Sequence, residues 1–91
     1  MKILVSEQFL NENKYYANIE DALHFLRLKM KKEGIGMDGS EINQVLDTPT
    51  PIGEQIQFSF SLYQDGREMI RKLNVRLTVE KEGLDLYYDV M

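Results

Sequence analysis

The chain has no cysteine, no tryptophan, one histidine and two prolines among its 91 residues. Without cysteine there is no disulfide framework, no thiolate nucleophile and no cysteine-ligated zinc. The single histidine, His24, has no cysteine to pair with and no serine on a strand-turn-helix elbow. The usual arrangements for nucleophilic catalysis are therefore missing. No run approaches the roughly 18 apolar residues that a membrane-crossing helix needs. Near the start only Ile3, Leu4 and Val5 stand together, far short of the roughly 7–15 residues of a signal-peptide core. The cytoplasm is the expected compartment, with no membrane partner.

Positive charge is also scarce. Eleven Lys and Arg face fifteen Asp and Glu, a formal net charge of −4. Residues 1–33 carry six basic and five acidic groups, and residues 34–91 carry five basic and ten acidic ones. A protein that neutralises phosphates concentrates positive field, and the balance here runs the other way.

What remains is an ordinary globular composition, 43% hydrophobic and 29% charged. Ninety-one residues fit one domain, since domains run from about 50 to 250 residues. There is no internal repeat and no shift in composition, so residues 1–91 are expected to form a single α+β domain.

Lys2 to Phe9 reads as a short first strand, followed by a polar connection holding Tyr15 and Tyr16. Residues 19–33 form the clearest helix. Asn18 suits the N-cap, Glu20 and Asp21 sit at the positive end of the dipole, and Lys29, Lys31 and Lys32 at the negative end. Gly34 supplies the stop. At about 100° per residue, Ile19, Ala22, Leu23, Leu26 and Met30 share one stripe. Gly34 to Gly39 reads as a glycine-rich turn. Ser40 then caps a candidate short helix through Leu46, with Ile42, Val45 and Leu46 as its apolar side, before Pro49 and Pro51 break it.

The last third is β. Ile56, Phe58, Phe60 and Leu62 alternate with polar partners, the period-two mark of a half-buried strand. Asp65-Gly66 is a two-residue hairpin turn. That closure sets Leu62 opposite Met69, Phe58 opposite Leu73 and Ile56 opposite Val75. It also sets Phe60 opposite Arg71, a mismatch that calls for a bulge near Ile70 or a rim position for Arg71. The next strand turns Leu73, Val75, Leu77 and Val79 inward. A turn at Glu82-Gly83 then leads to Leu84, Leu86, Tyr88 and Val90, pairing Val79 with Leu86 and Leu77 with Tyr88. The expected fold is a three- to four-stranded, mainly antiparallel sheet, a C-terminal meander, packed on one long helix.

Candidate chemistry is thin. His24 lies on the helix flank, about 140° from Ile19, which suits a solvent-facing or rim residue. Asp85 and Asp89 project on the polar face of the last strand about 13–14 Å apart, too far to share a proton or a metal. The glycines follow a helix instead of joining a strand to one, so they form no standard phosphate cradle. No cofactor and no metal is expected.

Two kinds of surface stand out. Phe25 and Leu28 fall at about 240° and 180° on the helix, away from the core stripe. Either the chain's own segments cover them, namely the short helix or Phe9, Tyr15 and Tyr16, or they meet a partner. The outer strands are a second candidate, because an open edge pairs with an identical chain or a client strand. The first expectation is a small non-catalytic protein-interaction module, a homodimer or a regulator or inhibitor that binds another protein through Phe25 and Leu28. The second is a nucleic-acid-binding module using Tyr63, Lys72, Arg76 and Tyr87 on the polar sheet face. A small-molecule enzyme is the least supported.

Overall fold

The computed structural model describes residues 15–91. The element order is α1 (Ile19–Lys32), β1 (Gly36–Met37), α2 (Gly39–Val45), β2 (Gln55–Gln64), β3 (Arg67–Glu80) and β4 (Gly83–Val90). The four strands form one antiparallel sheet in the order β1-β2-β3-β4. This is an α+β fold with a C-terminal meander, one long helix and a short second one. The expected strand at Lys2–Phe9 lies outside the described residues. The fourth strand is instead β1, inside the segment that reads as a glycine turn.

Helix α1 begins where the Asn18 side chain accepts a hydrogen bond from the Asp21 N–H at 2.8 Å. It ends because Gly34 adopts φ +76. There Gly34 N–H donates to Lys31 C=O and Ile35 N–H to Met30 C=O, closing the helix in the two-bond pattern that a left-handed glycine permits. The stripe read from the sequence, Ile19, Ala22, Leu23, Leu26 and Met30, is buried throughout. Helix α2 starts two residues earlier than expected, at Gly39. Its cap is Asp38, whose side chain accepts from Ser40 N–H at 2.8 Å.

The core is one cluster formed by that α1 stripe and the inward residues of the sheet. Among these, Phe60, Leu62, Leu73, Val75, Leu77, Leu84, Leu86 and Tyr88 are all buried. Ile42 of α2 joins it. At about 25 cal/mol per Å² of apolar surface removed from water, this burial is the main drive to fold.

The strand registers differ from the sequence expectation by one correction each. At the β2–β3 hairpin Asp65 and Gly66 take φ 54 and 77, and Gln64↔Arg67 and Tyr63↔Glu68 pair as the two-residue turn requires. Beyond that the register shifts between Ser61 and Tyr63, so that Ser61 faces Lys72, Phe60 faces Leu73 and Phe58 faces Val75. β2 spends Leu62 where β3 spends Met69, Ile70 and Arg71. The bulge leaves Arg71 exposed, as is its neighbour Ile70, and places Leu73 against Phe60. At the β3–β4 turn Glu80 pairs with Gly83, so Lys81 and Glu82 make the turn. Val79 therefore faces Leu84, and Leu77 faces Leu86. Both shifts are by two residues, which preserves the face of every side chain.

Candidate functional site

The outer face of α1 divides Phe25 from Leu28. The chain reaches α1 through Tyr16, which bridges to β4: Tyr16 N–H donates to Leu84 C=O at 3.0 Å and Leu84 N–H donates to Tyr16 C=O at 2.8 Å. Held there, the Tyr16 ring lies 5.7 Å from the Phe25 ring at 42°, within the range of favourable tilted contacts. Lys29 Nζ sits 5.9 Å from the other partner of this stack, the Phe25 ring centroid. Phe25 is thus half-buried by its own chain. Leu28 is not, and remains 49% exposed. The two border a hollow of about 440 Å³ with Lys29, Lys31 and Lys32 around it.

The short helix does not cover this face. Ile42 and Leu46 meet α1 on the opposite flank, beside Leu23, His24 and Arg27, around a smaller hollow of about 150 Å³. His24 is solvent-exposed there.

The polar sheet face brings together two of the four residues proposed for nucleic acid. Arg76 and Tyr87 are direct cross-strand partners, and the Arg76 guanidinium carbon lies 4.6 Å from the Tyr87 ring centroid. That is a cation–π pair. Lys72 is four residues along β3, about 13 Å away by strand geometry. Tyr63 lies beyond the bulge, opposite Glu68. Burial raises the Tyr63 phenol above its ordinary value, and the carboxylates of Glu68, Asp38 and Glu41 raise it further. The surroundings of Tyr63 are acidic. A shallow concavity of about 500 Å³ spans Gln57, Ser59, Asn74, Arg76, Tyr87 and Asp89. Within it, one carboxylate oxygen of Asp89, Oδ1, is buried and has no hydrogen-bond partner.

The third surface is the outer edge of β2. β1 is two residues long and covers only Leu62 and Tyr63. Where the chain leaves β1 for α2, Glu41 takes over as acceptor: Ser61 N–H donates to Oε1 at 2.9 Å and the Ser61 hydroxyl to Oε2 at 3.1 Å. Below Ser61 no strand lies on this side among the described residues. Ile56 and Phe58, which alternation places on the apolar face, pack against the core and are half-buried, standing where no described strand covers β2. The sequence holds no signal for the Glu41–Ser61 contact, which joins residues 20 apart. Nor does it signal β1, whose two residues lie within the stretch that reads as a glycine-rich turn.

Among the described residues no group of three or more His, Asp or Glu side chains could hold a metal ion. No helix among them is long and apolar enough to cross a membrane. Comparison with family models, with curated proteins and with solved structures finds no match for this chain.

Proposed function

We propose that this chain is a small, non-catalytic protein-interaction module of the cytoplasm, a regulator that binds another protein through the outer face of α1. The observation that carries this is Leu28, a large aliphatic side chain 49% exposed beside the half-buried Phe25. An apolar floor rimmed by Lys31 and Lys32 suits a partner segment that offers an apolar side chain flanked by carboxylates. Apolar contact supplies the affinity, and the lysines orient and speed the approach.

The test is comparative capture from the native host, using the wild-type chain, Leu28→Asp and Ile70→Asp as baits. Ile70 is a fully exposed isoleucine in the β3 bulge and controls for adding one negative charge. A partner retained by wild type and Ile70→Asp but lost by Leu28→Asp supports the reading. Identical capture by all three baits refutes it.

Nucleic acid is the alternative reading, and the Arg76–Tyr87 pair is the observation in its favour. Against it, Glu80, Asp85 and Asp89 occupy the same face as Lys72 and Arg76. It requires a mobility shift at low salt that weakens steeply with added salt and disappears in Arg76→Ala.

A further inference from the structure

We propose that two copies of this chain join edge to edge along β2, making one continuous antiparallel sheet with Gln57 of each copy on the two-fold axis. This goes beyond the α1 reading, because it names a second copy as a partner and uses a different surface.

Backbone direction comes first. Val79 N–H donates to Glu54 C=O at 2.9 Å, whereas Ser61 N–H points away from β3 to Glu41. In an antiparallel ladder each residue directs both backbone groups to one side, and successive residues alternate. Phe58 and Ile56 therefore bond to β3, while Gln55, Gln57 and Ser59 present N–H and C=O outward. All three are exposed. Glu41 blocks the edge at Ser61 and nothing described blocks it below.

The composition of the edge comes second. From Gln55 to Gln64 the strand has no charged residue and no proline. Natural sheets guard their edges with lysine, proline, bulges or a covering segment. Here the bulge lies in β3 opposite Leu62, above the open stretch. A second copy brings no like charge against this one.

Self-complementarity comes third, and it selects a copy over an unrelated strand. With Gln57 opposite the partner's Gln57, Gln55 falls opposite the partner's Ser59, so all the outward-pointing groups find partners in one register. The same register sets Ile56 against the partner's Phe58 on the apolar face, and Phe58 against the partner's Ile56. The half-buried side chains that the monomer leaves at its edge then cover one another. Neighbouring registers of the same parity keep the apolar side chains on one face but leave one of the three outward residues without a partner. The contact is isologous and closes on itself, giving a dimer instead of a fibre. Five residues of edge bury less than the roughly 1,200 Å² of a standard interface, so the dimer is weak and concentration-dependent.

Light scattering across a concentration series, from about 5 µM to about 500 µM, tests this by mass action. The wild-type mass is expected to rise from 10.7 kDa toward twice that value. Gln57→Pro keeps the β2–β3 ladder, since its lost N–H is an outward one, and is expected to stay monomeric. Gln57→Lys, a change on an exposed side chain, gives the same result without touching the backbone. Mixing Gln57→Lys with Gln57→Glu is expected to restore the dimer, because the two charges meet on the axis. Leu28→Asp is expected to dimerise like wild type, which separates this proposal from the α1 reading. A wild-type mass that stays at 10.7 kDa throughout overturns the proposal. So does a dimer that survives Gln57→Lys or that is lost in Leu28→Asp alone.

Discussion

Glu41 does for β2 what a neighbouring strand would have done. Its two carboxylate oxygens accept from the backbone N–H and the hydroxyl of Ser61, a residue 6% exposed. The first turn of α2 thus finishes an edge that the two-residue β1 leaves incomplete.

Removing that acceptor strands a nearly buried donor pair, which typically costs about 1–3 kcal/mol. Glu41→Ala is expected to lose stability of this order in urea melts. Glu41→Gln keeps one acceptor oxygen and is expected to lose less. Equal stability for all three chains would show that the contact contributes nothing.

Gly83 carries a stricter constraint than its place next to a turn suggests. Its φ is +138 and an added Cβ would lie 2.7 Å from Tyr16 O and 2.9 Å from Tyr15 Cβ. The glycine lets the segment before α1 lie against β4. Gly83→Ala is expected to destabilise by about 2–3 kcal/mol, since either the strained backbone or the Tyr16–Leu84 bridge must give way. Proton exchange at the Leu84 amide checks which one yields: fast exchange marks loss of the bridge.

Burial raises the phenol of Tyr16 above 10.0. The folded protein then holds this proton more firmly than the unfolded chain does. The resulting stability is fully present below pH 10 and is lost as pH rises through the folded value. Tyr16→Phe keeps the ring against Phe25 and removes the titration. Its stability is expected to fall less steeply than wild type above about pH 10, as followed by denaturant midpoints at successive pH values. Parallel curves would contradict this.

Much of this fold is legible in the amino-acid sequence because its long elements are strongly periodic. The α1 stripe from Ile19 to Met30, its Asn18 cap and its Gly34 stop need only the helical repeat. The facing of β2, β3 and β4 needs only alternation. Register is less legible. A turn motif fixes pairing beside the turn, but the β3 bulge inserts Met69–Arg71 against Leu62 and moves every later partner by two. The one trace of it in the sequence is the poor match of Phe60 with Arg71. The β3–β4 turn is misplaced for a different reason: Gly83 looks like a turn residue, yet it is required by the approach of Tyr16, a contact across the fold. β1 is too short to show any period.

The surfaces divide in the same way. Helical angle alone separates Phe25 and Leu28 from the core, but it cannot say that Tyr16 covers one and leaves the other open. Tyr63, Lys72, Arg76 and Tyr87 share a face by parity, yet only Arg76 and Tyr87 meet. The half-burial of Ile56 and Phe58 follows from strand order, which alternation does not encode.

On the proposed reading this chain offers surface to other chains, most specifically along β2 from Gln55 to Ser59. Amide hydrogen exchange at Gln57 and Ser59, measured in dilute and in concentrated protein, tests it most directly. Those two amides are expected to exchange freely when dilute and to slow as concentration rises, while Phe58, bonded within the sheet, stays slow in both. Fast exchange at Gln57 and Ser59 at every concentration would contradict the account.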